Sequence, residues 1–470
     1  MSAPTRPLRV AIVGSGPSGF YAAESLQRLR PGTEIDMLDR LPTPYGLVRG
    51  GVAPDHPKIK SVTRVYDRIA AQPGFRFLGN VMVGGAVSHA ELATLYDAVI
   101  YATGAQTDRH LGVPGEELPG SHAATEFVGW YNGHPDYRDR HFDLSAEDIV
   151  VVGMGNVAMD VTRILASCKT ELAPTDLAAH ALEPLVNSGV RTIHVLGRRG
   201  PVQAAFTNPE LRELGHLADA DIVVDPRELV LDEHSAHELK GHEDRSVEKN
   251  LETLREFSTR TPQGRRRRIV LRFLVSPVEV IGSTRVEGVR LVHNRLVRSP
   301  RGDLRAEPTA EHELLPAGIV FRSVGYRGVP IPDLPFDQRA GTMPNDQGRA
   351  LAAPGAMETL PGVYVVGWLK RGPSGVIGTN KPDSTETVER LLEDAGAGRI
   401  GQAPLGDRER LDALLVARGV RIVTFDDWKR LDALETVRGR PRGAPREKLT
   451  SVQEMLAALP GGERRTENGR

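Results

Sequence analysis

The chain has 470 residues, 40% of them apolar and 26% charged, about three times the ~150 residues of one domain, so two or three cores are expected and a small stapled scaffold or a disordered chain is not. Sixty basic and 61 acidic side chains leave a formal charge of -1, so no nucleic-acid partner is expected and any charged partner must be read by a local patch. One cysteine, Cys168, excludes an internal disulfide, a Cys-x-x-Cys redox pair, a four-cysteine zinc site and a self-contained iron-sulfur cluster, and no run of eighteen apolar residues offers a membrane span.

A cytoplasmic protein is therefore expected, with no metal site assigned. Residues 1–9 read as a short polar arm rather than a targeting segment. In chain order, a strand is predicted at residues 8–13, followed at once by Gly14-Ser15-Gly16-Pro17-Ser18-Gly19 and a helix over 20–30. A second strand over 34–38 ends on Asp39, twenty residues after Gly19. An irregular Pro- and Gly-rich segment at 41–57 leads to a helical stretch at 58–71; so long a segment in a compact domain is usually functional. Short strands are predicted at 75–78 and 80–83, and a buried one at 98–101.

The same syntax restarts at Asp148: a strand to Val152, the turn Gly153-Met154-Gly155-Asn156-Val157-Ala158, then a helix over 159–168. An inserted helical stretch at 172–185 precedes a strand at 192–196, which closes on Gly197-Arg198-Arg199-Gly200. Residues 234–268 read as a helix plus a surface loop, and strands are expected at 269–274, 278–282, 288–292 and 319–324. The chain then gives a strand and turn at 363–368, a glycine turn at 372–378, a helix over 385–392 and further helical segments, with the last dozen residues frayed. The fold class is α/β, with two nucleotide-binding units of Rossmann type.

Context raises the glycine runs above a bare pattern. The first glycine permits the tight turn, the second lets backbone approach a pyrophosphate, and the third lets helix pack on strand, while the helix N-terminus presents free N–H groups. Asp39 can accept from a ribose 2′-OH and would repel a 2′-phosphate, so the first site suits FAD or NAD. In the second unit Arg198 and Arg199 stand where an acid would be, a fork for a phosphate dianion that favours NADP(H). The alternative there is a solvated basic turn. One FAD-type and one NADP-type site in a chain most simply pass a hydride from nicotinamide to flavin.

Four segments carry a more specific likeness: PTPYGLVRGGVAPDHPK at 42–58, VGMGNVAMD at 152–160, GRRGPVQAAF at 197–206 and VGWLKRGPSGVIGTN at 366–380. They resemble the adrenodoxin reductase family of ferredoxin–NADP reductases, over about residues 9–459. The resemblance implies an FAD domain made from residues 1–106 and 327–470, the latter with a C-terminal helical segment, and an NADP domain inserted as residues 107–326. By motif it implies FAD contacts at Ser18, Asp39, Leu47, Val83, Trp368, Gly375, Val376 and Ile377 beside the turn glycines Gly14, Gly16 and Gly19. Family members often have Glu where this chain has Asp39. For NADP it implies Met154, Asn156 and Val157 with Gly153 and Gly155, then Arg198, Arg199 and Glu210, with Gly375 near the nicotinamide. His56 and Glu213 match residues that sit by the reacting rings and tune hydride transfer, and Asp160, expected in the first turn of its helix, is a third candidate. Read alone, His56 is a loop histidine beside Asp55, Glu213 a helix-surface acid, and Trp368 a core residue.

The resemblance also implies a monomer and a small acidic ferredoxin as acceptor, which a basic face would attract. Candidates for that face are Arg49, Lys58, Lys60 and Arg64, and the run 265–268 with Lys249 and Arg255. Acids interspersed at 248–256 argue against an intact adrenodoxin-type docking helix. A flavin oxidoreductase with another acceptor, of monooxygenase or diaphorase type, and a non-catalytic FAD-binding module are the alternatives.

Overall fold

The computed structural model describes residues 6–241, 245–300, 302–401 and 408–461. Most of the polar start and of the last dozen positions lie outside them.

The β-branched run Arg9–Val13 is buried on both faces, as a central parallel strand requires. It pairs in parallel with Glu34–Asp39 on one side and Ala98–Tyr101 on the other. Phe75–Gly79 extends the sheet beyond Glu34–Asp39, and Thr359–Val365, from the far end of the chain, lies parallel beside Ala98–Tyr101. Two short antiparallel strands, Arg349–Leu351 and Asn345–Asp346, finish this seven-stranded sheet. A second sheet of six parallel strands runs Ser121–Ala123, Ile319–Arg322, Asp148–Val152, Thr192–Leu196, Arg267–Arg272, Ala220–Val224. The fold is thus two Rossmann-like units, the first built from both ends of the chain and the second inserted into it. The two connecting segments pair with each other, Thr107–Asp108 antiparallel to Tyr326–Arg327.

Several local expectations change. Residues 80–83 are not a strand: Asn80 turns left-handed at φ 62 and Val83 makes only an isolated bridge to Val87. The stretch 58–71 divides into Pro57–Lys60 and Thr63–Ala70, and the insertion at 172–185 into Lys169–Leu172 and Ala179–Val186. The helix expected from Thr385 starts earlier, at Asn380, after a 3₁₀ turn over Ile377–Thr379. Two helices, Glu233–Gly241 and Ser246–Thr259, occupy the polar stretch before Arg267. A three-stranded antiparallel sheet joins Val275–Ile281, Gly288–Arg298 and Leu304–Pro316. Its last strand escaped the sequence pattern because it is an edge strand largely open to solvent, so no buried face imposes an apolar alternation.

Candidate functional site

Both glycine turns have the same geometry. Gly14 N–H donates to Leu38 O at 2.8 Å and Gly153 N–H to Leu196 O at 2.9 Å, so each turn is fastened to the strand that follows it in its own unit. Gly14 and Gly153 adopt φ 106 and 136, and a Cβ on either would strike backbone oxygen, Ala102 O at 2.6 Å or Ser323 O at 2.2 Å. Gly19 packs its helix on the turn: a Cβ there would lie 2.2 Å from Gly14 O. Ala158, the third position of the second turn, is fully buried. The middle glycines differ in kind. Gly16 and Gly155, the N-caps of Pro17–Leu29 and Asn156–Ala166, face open space, with no atom within 4 Å of a notional Cβ. That is the cradle in which backbone can approach a phosphate without a side chain in the way.

Beyond the first turn, Asp39 ends its strand and accepts from Ser15 N at 2.9 Å, Ser15 Oγ at 2.6 Å and Leu41 N at 2.9 Å. The C-terminal motif arrives at the same place. A Cβ on Gly367 would lie 2.6 Å from the Ser18 side chain, and Ser384 Oγ donates to Ser18 O at 3.0 Å. Trp368 is half-buried rather than core; its Nε1 donates to Ser374 O at 3.1 Å and its ring lies 5.3 Å from that of Tyr326. Gly375 and Val376 are exposed, and Ile377, Leu47 and Val83 are half-buried. A solvent-facing valine and a half-buried tryptophan around an open glycine turn suit a flat aromatic ring system better than they suit water.

Beyond the second turn, Met154 O accepts from Ala205 N at 2.8 Å and Asn156 Oδ1 from Thr207 N at 2.8 Å, so 197–207 is laced to the turn. Arg198 is exposed and Arg199 half-buried, and neither forms an ion pair among the described residues. Burial and the neighbouring Arg198 charge pull the Arg199 pKa down against the Glu238 charge, so an added anion there would be favoured.

Between the units lies a cluster that only partly follows the sequence expectations. His56 Nε2 is 2.8 Å from Glu213 Oε2 and 3.6 Å from Glu210 Oε2. Asp55 does not pair with His56; it accepts from Arg163 at 2.5 and 3.0 Å. Arg163 also reaches Asp160 at 2.7 Å, Glu213 at 3.2 Å and Glu210 at 3.4 Å. Asp160 sits in the second turn of its helix, not the first, where Arg163 rather than the helix terminus is its partner. Burial pulls the His56 pKa down, but the Glu213 hydrogen bond together with the Asp160 and Glu210 charges outweighs it and the net shift is upward. Burial pushes Glu210 up to about 7, helped by Asp160, and burial also raises Asp160. Burial likewise pushes at Glu213 and Asp55, but His56 and Arg163 hold Glu213 low, and Arg163 holds Asp55 low. Arg163 is the residue that sequence reasoning missed; its signal was the three-residue spacing from Asp160.

Several expected docking residues prove structural. Arg49 donates twice to Glu435, at 2.8 and 2.5 Å, and lies over the Trp428 ring at 5.1 Å. Lys60 is half-buried and donates to Asp176 at 2.6 Å. Arg265 donates to Leu217 O and Ala220 O, Arg266 to Ser188 O, and Arg267, 1% exposed, to Ser167 O at 2.9 Å. Lys58, Arg64, Lys249, Arg255 and Arg268 are exposed.

Residues 8–194 match the family model for pyridine nucleotide-disulphide oxidoreductases. The chain is 49% identical over 462 residues to the NADPH-ferredoxin reductase FprA of Mycobacterium tuberculosis, covering 96% of this chain and 99% of that one. The chain belongs to the adrenodoxin reductase-like family of ferredoxin–NADP reductases. Within this family it is 41% identical over 466 residues to the mitochondrial NADPH:adrenodoxin oxidoreductase of Arabidopsis thaliana, covering 97% of this chain and 96% of that relative. The structure of M. tuberculosis FprA in complex with NADPH is similar at a TM-score of 0.91 and 48% identity, covering 96% of this chain and 99% of the other. Despite the name of the matching model, the single Cys168 leaves this member no redox cysteine pair.

Proposed function

We propose that the protein takes two electrons from NADPH through FAD and hands them singly to a small acidic ferredoxin. The observation that carries this reading is the pair of equivalent glycine turns, each open at its middle glycine, one followed by Asp39 and the other by Arg198 and Arg199. The FAD site takes Gly14, Gly16, Ser18 and Gly19 at the pyrophosphate, Asp39 at the ribose, and Leu47, Val83, Trp368, Gly375, Val376 and Ile377 around the ring system. The bound FAD supplies the exchange between a hydride and single electrons. The NADP site takes Gly153, Met154, Gly155, Asn156 and Val157 at the pyrophosphate and the two arginines at the 2′-phosphate, with Glu210 toward the nicotinamide. His56, Glu213 and Asp160 flank the cleft where the two units meet, and their charges set how the rings are held.

This reading divides the chain into residues 1–106 and 327–470 for FAD and 107–326 for NADP, working as a monomer in the cytoplasm. Among the described residues no helix is long and apolar enough to cross a membrane. The ferredoxin face is narrowed to exposed cations such as Lys58 and Arg64, which lie just beyond His56 in sequence. Replacing Arg198 and Arg199 together by alanine is the direct test of the nucleotide assignment. Loss of two charge-assisted phosphate contacts of about 1.5–3 kcal/mol each should raise the KM for NADPH by roughly 100-fold or more, with NADH little changed. Equal losses for both nucleotides would contradict it.

A further inference from the structure

The cluster between the units contains more acid than its cations neutralise. Asp55, Asp160, Glu210 and Glu213 surround one guanidinium, Arg163, and one imidazole, His56. Full ionisation would leave two uncompensated negative charges even with His56 protonated. In a partly buried site that charge is relieved by keeping a proton. Glu210 is placed to keep it. It lies on the helix Asn208–Leu214, 3.6 Å from His56 and 3.4 Å from Arg163, but the short hydrogen bonds of both cations go to Glu213, Asp55 and Asp160. The other groups facing the cluster are Tyr131 and Tyr326 near Asp160, Glu171 and His216 across the adjoining cavity, and Thr253, which Ser246–Thr259 packs against Asn208; His216 is the one further group among these that can carry positive charge and Glu171 adds another acid. Glu210, at about 7, accordingly titrates where the cell works.

The cluster lies beside the helix that follows the second glycine turn. Asp160 and Arg163 ride on that helix, and Glu210 on the helix whose preceding residue, Thr207, is hydrogen-bonded to Asn156. A nicotinamide ring is neutral when reduced and cationic when oxidised. We propose that this cluster couples the charge of the bound nicotinamide to one proton: Glu210 keeps it beside NADPH and releases it beside NADP+. The inference rests on the NADP reading above. As the hydride leaves NADPH for the flavin, the ring gains a positive charge, and the O–H bond of the Glu210 carboxyl breaks to give a carboxylate and a proton to water. The site's net charge is thereby unchanged. A cavity of about 200 Å3 lies beside the cluster, lined among others by Asp55, His56, Arg163, Glu171, Glu213 and His216; Glu210 does not line it.

Calorimetric titration of the oxidised FAD-loaded protein at pH 7, in buffers of different ionisation enthalpy, counts the protons released on binding. NADP+ should release more protons, up to one per site, than 2′-phospho-ADP-ribose, which carries the 2′-phosphate and the pyrophosphate but no nicotinamide, because the raised Glu210 keeps part of its proton at that pH. Glu210→Gln, titrated to saturation with each ligand, should abolish the difference in protons released per bound ligand. Equal release by the two ligands, or a difference that survives Glu210→Gln, would overturn the proposal. Failure of both ligands to bind would overturn the NADP reading on which it rests.

Discussion

Nε2 of His56 and Oε2 of Glu213 lie 2.8 Å apart although 157 residues separate them, so a loop of one Rossmann-like unit is joined to a helix of the other at the cleft. The pair is protonation-dependent. The folded pKa of His56 lies above its ordinary 6.5, so the pair's contribution is fully present below that pH and is lost as pH rises through the raised value. In Glu213→Gln, burial and the Arg163 charge are left to dominate, and the imidazole titration followed by NMR should move from above 6.5 to below it. The stability difference from wild type should also shrink toward alkaline pH. An unmoved titration would show that the pair does not set the imidazole charge.

Glu210 gives the opposite dependence from its neighbour Glu213. Its folded pKa is raised to about 7 from an ordinary 4.5, so the protonated carboxyl is compatible with the fold and ionising it between those values costs stability. Glu210→Gln removes the titration. Relative to wild type, the variant should gain on the order of 1–3 kcal/mol between pH 5 and 8, measured by urea unfolding. A pH-independent difference would contradict this.

Gly16 and Gly155 separate a folding role from a binding role. Neither has a positive φ and neither has a neighbour within 4 Å of a notional Cβ, so Gly16→Ala and Gly155→Ala should leave stability within about 0.5 kcal/mol of wild type. Gly16→Ala should nevertheless purify with little FAD, and Gly155→Ala should retain FAD but bind NADP+ at least tenfold more weakly. Gly19→Ala, whose Cβ would meet Gly14 O at 2.2 Å, should instead unfold at markedly lower denaturant.

Arg49 tests the distinction between docking charge and internal structure. Its partner Glu435 is fully buried and also accepts from Leu449 N at 2.9 Å. Arg49→Ala leaves a buried carboxylate without its bidentate partner and should cost about 3–5 kcal/mol in unfolding experiments. Lys58→Ala should cost almost nothing in stability and weaken ferredoxin turnover at low salt. Equal thermal stability of Arg49→Ala and wild type would return Arg49 to the surface candidates.

These residues also show what a sequence can reveal. The two glycine turns, the strands beside them and the contrast of Asp39 with Arg198 and Arg199 were legible because they are dictated by local backbone geometry and short spacing. The grip of Glu435 on Arg49, across 386 residues, leaves no local trace, and so Arg49 read as a surface cation. The run 265–268 looked like a docking patch for the same reason: Arg265, Arg266 and Arg267 satisfy backbone carbonyls that only the folded chain brings near, and Arg268 alone is left to solvent. Arg163 was missed because one arginine on a helix looks ordinary until four carboxylates from three segments converge on it.

The central claim is tested most directly by anaerobic stopped-flow of the FAD-loaded protein, mixed first with NADPH or NADH and then with an oxidised ferredoxin. The account predicts flavin bleaching that is much faster with NADPH, followed by reoxidation as the ferredoxin is reduced. Bleaching at equal rates with both nucleotides, or a reduced flavin that ferredoxin does not reoxidise, would contradict it.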